Sequence, residues 1–404
     1  MKEILQTDTS SILQKIIQQP EHYRIQIIYT QINRDAVNQP VFKNYYFHVD
    51  REFYFYPAST VKLPLALLSL EKLNRIHKKE LNKFTRMEYD SSYSGQKTLS
   101  RDSSSKTGYP SIAQFIRKAF LISDNDAYNR MYEFVGQQEI NRSLHSKGFV
   151  NTRIVRQFMP LSESENRHTN QIRFLDSLGN LVYCQPPAIN RDSFQFLPVV
   201  KIGDAYLDSH DSLIKEPMNF TRHNWIPLED LQQILQTALF PYSVPKSRRF
   251  NLEHSDYQFL YKYLSQYPSE TTYPKYDTSE FFDSYVKFFF QKGGRQLPEN
   301  IRVFNKVGWA YGFLTDVSYI VDFKNHIEFM LAATVYANED GILNDDKYEY
   351  DSLALPFLYG VGQDVYQYDL QRKRKFQPNL KGFQMKYDRR DPADMRPSIK
   401  DVDN

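Results

Sequence analysis

The chain has 404 residues, 41% hydrophobic, 25% charged and 15% aromatic, with a formal net charge of +3. This is long enough for two domains with a sizeable core, ordinary for a globular protein, and too balanced in charge to point to a polyanionic partner; no basic run with interleaved aromatics suggests nucleic-acid binding. A single cysteine, Cys184, rules out an intrachain disulfide framework, no apolar run has the length of a transmembrane span, and residues 1–19 lack the basic and apolar regions of a signal peptide.

Residues 8–18 read as a short capped helix, with Ile12, Leu13, Ile16 and Ile17 on one stripe. Tyr23, Ile25, Ile27 and Tyr29 alternate with mostly polar neighbours and read as a strand. A turn at Asn33, Asp35, Asn38 and Pro40 leads to a second strand at 41–49 and a third extended piece at 53–56. There the chain changes character, in Tyr56-Pro57-Ala58-Ser59-Thr60-Val61-Lys62-Leu63-Pro64-Leu65. An apolar helix is expected over 59–74, with Pro64 removing one backbone bond, to Thr60. Ser59 and Lys62 stand at i and i+3 and share a face of that helix at its start. The positive end of the helix dipole favours an oxyanion there and disfavours an ammonium. That is a way to activate a serine with a lysine in place of a histidine.

Residues 85–110 are polar and read as a loop. Ser111 caps a helix that ends at Ser123-Asp124-Asn125; further helices cover 126–136 and 137–147, with Gly148 as the stop. Residues 150–225 read as an irregular, partly β insertion. Helical patterns return at 227–240, 255–264 and 279–292. A strand at 301–306 runs into Lys306-Val307-Gly308 and a turn, Trp309-Ala310-Tyr311-Gly312. Strands at 316–322 and 327–337 flank a hairpin turn at 323–326, a last helix spans 356–370, and a charged, loosely ordered tail begins near 372. Strands at both ends with helices between predict a discontinuous α+β architecture. Residues 1–57 and 295–371 would form an α/β domain around an antiparallel sheet. Residues 58–294 would form an inserted helical domain, and 372–404 a polar tail.

A lone Ser-x-x-Lys is common by chance. Ser59-x-x-Lys62, Ser123-Asp124-Asn125 and Lys306-Val307-Gly308 in this order, at a helix start, an inter-helix turn and a strand end, form a pattern. Lys106-Thr107-Gly108 spells the third motif in its commoner form, but it precedes Ser123 in a polar loop with no strand leading in, and reads as loop.

On these residues the chain resembles the penicillin-recognising serine hydrolases, and among them the class A β-lactamases. The resemblance covers about 8–370 apart from the insertion, and includes Asn125-Asp126-Ala127-Tyr128-Asn129 and Asp316-Val317-Ser318-Tyr319-Ile320-Val321. It implies a β-lactamase/transpeptidase-like fold, a five-stranded antiparallel sheet flanked by terminal helices. It also implies roles. Ser59 attacks a lactam or amide carbonyl and is acylated. Lys62 accepts or relays its proton. Ser123 passes a proton to the leaving nitrogen, and Asn125 donates to the substrate's acyl-amide side chain. Lys306 binds the substrate carboxylate and lowers the Lys62 pKa by like-charge proximity. Val307, Gly308 and Trp309 line the substrate, and the main-chain N–H groups of Ser59 and Trp309 form the oxyanion hole.

Two departures matter. Val307 lacks the hydroxyl usual in the third motif, which weakens the expected hold on a carboxylate. The class A glutamate that activates the deacylating water follows a Thr-Arg segment. Here Thr152-Arg153 leads to Phe158 at that place and Ser162 at that of its asparagine partner. Glu163 and Glu165 substitute only if the loop takes a different path. The expectation is therefore a serine acyl-enzyme hydrolase, acting on a β-lactam or related amide and slow to deacylate. A D-alanyl-D-alanine peptidase acting on peptidoglycan, or a non-hydrolytic penicillin-binding or sensor protein, fits the same motifs. The nine histidines show no ligand spacing, and neither a metal nor another cofactor is expected. The resemblance further implies an exported, periplasmic monomer.

Overall fold

This is a computed structural model, describing residues 1–6, 9–91, 93 and 95–400. Asp8, the expected start of the first helix, and the end of the expected tail, 401–404, lie outside the described residues. The chain divides into two compact units. One comprises Met1–Thr60, Phe194–Gln236 and Ser284–Gln384, the other Val61–Ser193, Thr237–Asp283 and Met385–Asn404.

The first unit is built on a five-stranded sheet of β1 (Gln26–Arg34), β2 (Pro40–Phe47), β3 (Ile301–Ala310), β4 (Phe313–Asp322) and β5 (Ile327–Tyr336), in the order β3-β4-β5-β1-β2. Every neighbouring pair is antiparallel. β5 is buried along its whole length, which is why it reads as a strongly apolar strand broken only by Glu328 and Thr334, as a strand covered on both faces does. It pairs with β1, Ile27 opposite Ala333 and Tyr29 opposite Leu331, so the two ends of the chain share one sheet. Helices α1 (Lys2–Leu5) and α2 (Ser11–Gln18) come from the N-terminal end, α2 capped by Ser10, whose Oγ accepts from the Leu13 N–H at 3.3 Å. Leu13, Ile16, Ile27, Val303, Leu331 and Phe357 belong to one apolar core with helix α11 (Leu355–Gln371).

Several elements differ from the sequence reading. Residues 53–56 are extended but join no sheet. Side chains satisfy their carbonyls instead: Arg24 donates twice to Tyr54 O, at 3.0 and 2.8 Å, and Gln26 Nε2 to Phe53 O at 2.8 Å. The helices expected at 227–240 and 255–264 form as α8 (Leu228–Leu239) and α9 (His254–Ser265), but the one expected over 279–292 shrinks to α10 (Phe288–Gln291). Its first N–H, that of Phe288, donates to buried Asp316 Oδ2 at 3.0 Å, and Lys287 Nζ reaches Val303 O and Asn305 Oδ1. Tertiary partners thus hold this stretch where a longer helix would have bonded within itself. β3 runs on through the third motif to Ala310, and the turn is only Tyr311-Gly312, both at positive φ (51° and 79°), as a two-residue hairpin requires.

The insertion is divided. Residues 194–236 go with the first unit, where the strand at 205–207 pairs with 213–214 and, in parallel, with 342–343. The part before 194 goes with the second unit. There 172–175 pairs with 181–185 and with 86–89, placing a strand inside the expected 85–110 loop.

The second unit is organised by α3 (Lys62–Ile76), in which Leu63 through Glu71 and Leu73 are all buried. It packs against α4 (Ile112–Leu121), α5 (Asn125–Val135) and α6 (Gln137–Ser146). A 3-10 turn, Ala58–Val61, precedes it. Pro64 is therefore in the first helical turn, where an N–H has no intrahelical acceptor, and the expected lost bond does not arise. The end of the chain is strapped on. Residue 399 bridges to Tyr276, Lys262 pairs with Asp388 at 2.9 Å, Arg390 donates to Thr271 O at 2.9 Å, and the Arg396 guanidinium lies 3.7 Å from the Tyr273 ring centre. The polarity that suggested a loose tail supplies its anchors. Among the described residues no helix is long and apolar enough to cross a membrane.

Buried Glu71 on α3 accepts from Lys147 Nζ at 2.8 Å and from the Asn251 N–H at 2.9 Å. Glu71→Ala strands the Lys147 charge and is expected to lower unfolding free energy by about 3 kcal/mol, measured by denaturant titration; a loss below about 1 kcal/mol would mean the pair is solvated.

Candidate active-site residues

In the first unit the serine sits on a strained turn. Ala58 has φ +42°, a conformation costing about 1 kcal/mol outside glycine. Both the N–H and the Oγ1 of Thr60 donate to Pro57 O, at 3.0 and 2.6 Å, closing the turn around Ser59, which is partly exposed. β3 forms an edge of the sheet. At Gly308 its backbone lies so close to the turn that a Cβ would stand 2.5 Å from Pro57 O and 2.9 Å from Ser59 N. Only glycine allows that approach.

Strand alternation then sorts the third motif. Lys306 shares the Gly308 face and is buried, its Nζ donating to Val307 O at 2.8 Å. Val307 and Trp309 take the other face. Val307 lies in the apolar core, and the Trp309 indole meets the rings of Tyr285 and Phe288 at 6.0 and 5.8 Å. Both residues were expected to line the substrate; the Val307 side chain is instead buried in the core, and the half-buried Trp309 side chain packs against it. The absent Val307 hydroxyl would have pointed into that core.

In the second unit the turn between α4 and α5 does the aiming. Ser123 adopts φ +67°. Asp124 caps α5, its Oδ1 accepting from the Ala127 N–H at 2.7 Å, and pairs with Lys118 at 3.2 Å. This turn presents three oxygens to the Lys62 amine, which donates to Ser123 O, to Ser123 Oγ at 3.2 Å and to Asn125 Oδ1 at 2.7 Å. Lys62 has no exposed surface. Burial pushes its pKa down to about 7, opposed by the Asp124 charge. Desolvation is thus the cause, where the resemblance suggested the Lys306 charge.

Phe158 lies over Lys62, the amine 5.2 Å from the ring centre, and stacks on Tyr128 at 4.4 Å. Asn129 fixes its backbone, Oδ1 accepting from the Phe158 N–H at 2.8 Å and Nδ2 donating to Phe158 O at 3.3 Å. Asn166 braces the neighbouring loop, accepting from the Gln157 N–H at 2.7 Å and donating to Leu161 O and Ser162 O. Of the two nearby carboxylates, Glu163 is exposed at the start of α7 (Glu163–Asn166), and Glu165 closes a capping box with Ser162. Phe158, not a carboxylate, is the loop side chain facing Lys62.

Asn129 belongs to the run from Asn125 that carries the resemblance, but its hold on Phe158 was not anticipated, although it stands four residues after Asn125, on the same helix face. The positive φ angles at Ala58 and Ser123 have no sequence signal, since neither residue favours them. Lys106-Thr107-Gly108 lies in turns outside any strand. Among the described residues no group of three or more His, Cys, Asp or Glu could hold a metal ion.

Residues 9–179 match the family model described as the β-lactamase enzyme family. That stretch contains Ser59, Lys62, Ser123, Asn125 and Phe158 but not the third motif. No curated protein matches the chain. Similar solved structures include a β-lactamase from Sphaerobacter thermophilus (13% identity, 90% of this chain and 97% of that one, TM-score 0.47) and one from Francisella tularensis (14%, 88% and 97%, 0.48). A class A β-lactamase from Clostridium kluyveri is also similar (14%, 87% and 98%, 0.45). With a five-stranded antiparallel sheet joining its two ends and a β-lactamase family match over 9–179, the chain has a β-lactamase-like α+β fold.

Proposed function

We propose that the protein is a serine acyl-enzyme hydrolase acting on a β-lactam or related amide, and that it deacylates slowly. The observation that carries this is Lys62: a buried amine near neutrality in pKa, three residues from Ser59 and bonded to Ser123 and Asn125. As free base, Lys62 takes the Ser59 proton while Oγ attacks the carbonyl carbon. The C–N bond then breaks, and the proton reaches the leaving nitrogen through Ser123, leaving an ester on Ser59. Lys306 supplies the positive charge for a substrate carboxylate, Asn125 a donor for the acyl amide, and the Ser59 and Trp309 N–H groups the oxyanion stabilisation. Val307 and Trp309 contribute through backbone alone.

Phe158 favours a second reading of the later step. An apolar ring beside Lys62 activates no water, so the ester would persist or pass to an amine, as in a D-alanyl-D-alanine peptidase acting on peptidoglycan. A sensor that acylates without turnover is the limit of that behaviour. Either role, and the β-lactamase-like fold, support an exported, periplasmic location.

Intact-mass analysis with a chromogenic β-lactam is expected to show a long-lived adduct on Ser59, absent in Ser59→Ala; rapid turnover would remove the slow-deacylation part, and the absence of any adduct would sink the acyl-enzyme reading. Below pH 7 the Lys62 amine is protonated and cannot take a proton. The acylation rate should therefore rise about tenfold per pH unit in acid and level off above pH 7, and a flat profile from pH 5 to 8 would exclude Lys62 as the base. Phe158→Glu places a carboxylate on a backbone that Asn129 already fixes, and should speed loss of the adduct about 10²-fold; an unchanged adduct lifetime would show that water is activated elsewhere.

A further inference from the structure

We propose that Phe220, from the inserted segment, is a positioning residue for the oxyanion donors at Ser59 and Trp309; this rests on the acyl-enzyme reading above. Phe220 is fully buried. Its ring centre lies 5.6 Å from that of Tyr56, at 63°, and 5.4 Å from that of Tyr311, at 78°. Tyr56 and Tyr311 themselves meet edge to face at 5.0 Å and 90°. Three rings thus touch in pairs, in the edge-to-face arrangements that aromatic rings favour.

Two of these rings bracket the donors. Tyr56 leads into the Pro57-Ala58-Ser59 turn, and Tyr311 opens the hairpin turn two residues after Trp309. Each turn holds a non-glycine residue at positive φ, Ala58 at 42° and Tyr311 at 51°, a strained conformation for a residue with a Cβ. A strained turn persists only where its surroundings hold it. The shared neighbour here is Phe220, whose own backbone is tied down: its N–H donates to Val200 O and its carbonyl accepts from the His223 N–H, both at 2.9 Å. His223 adds its ring at 4.9 Å. The close fit of Gly308 against Pro57 and Ser59 leaves little tolerance. A small rotation of either turn would spread the two N–H groups away from a common oxyanion. The segment that appeared in sequence as an irregular insertion thereby acts as a buttress for the nucleophile turn.

The test is single-turnover acylation of full-length Phe220→Ala and Phe220→Leu by a chromogenic β-lactam, with thermal melting of both. Phe220→Ala is expected to lower the limiting acylation rate about 10- to 100-fold. The half-saturating concentration should stay within about threefold of wild type, and the pH midpoint near 7, because the Lys62 environment is untouched. Phe220→Leu, which keeps most of the volume, should be intermediate, and it decides the matter if the alanine variant does not fold. A folded variant acylated within about twofold of wild type, or an effect confined to the half-saturating concentration, overturns the assignment. If wild type itself gives no Ser59 adduct, the acyl-enzyme reading fails and this inference with it; a labelled wild type with unaffected variants removes the inference alone.

Discussion

A lysine without exposed surface has to be neutral, paired with a carboxylate, or supplied with enough oxygens to keep its proton tolerable. Lys62 has three oxygens, from Ser123 and Asn125, and an aromatic face. Its pKa near 7 is the balance of burial against the Asp124 charge. Much of the second unit serves that balance. The apolar length of α3 removes water, the Asp124 cap fixes the start of α5, and the positive φ of Ser123 turns a backbone carbonyl inward.

The first unit handles a different constraint, that of bringing backbone close to backbone. Gly308 against Pro57 and Ser59 admits no side chain, and the strand alternation that puts Lys306 and Gly308 on one face sends Val307 and Trp309 into the core. The tolerance for change in this motif is therefore uneven. The middle position answers to core packing, which a valine fills well, and the glycine to a distance.

Much of the architecture was legible because it depends on periodicity. The stripes of α2 and α4, the strongly apolar β5 and the cap at Ser111 all appear in the chain itself. The order of the three motifs was legible too. Where the reading failed, a distant partner had overruled local preference. Asp316 takes the N–H that would have extended α10, side chains of Arg24 and Gln26 occupy the carbonyls of the supposed third strand, and carbonyls at Pro268 and Thr271 hold the basic tail. The Phe220 contacts, between residues more than 90 positions apart, leave no periodic trace.

The pairing of β1 with β5 carries a consequence for synthesis. The sheet cannot close until residue 336 has left the ribosome, roughly 300 residues after β1 has emerged. During that interval β1, paired at most with β2 as a hairpin, is an unfinished edge of the kind that invites association with other chains. The second unit's main helical stretch, 61–193, is contiguous and emerges in between. The early hairpin therefore waits for most of the time of translation before its central partner strand exists.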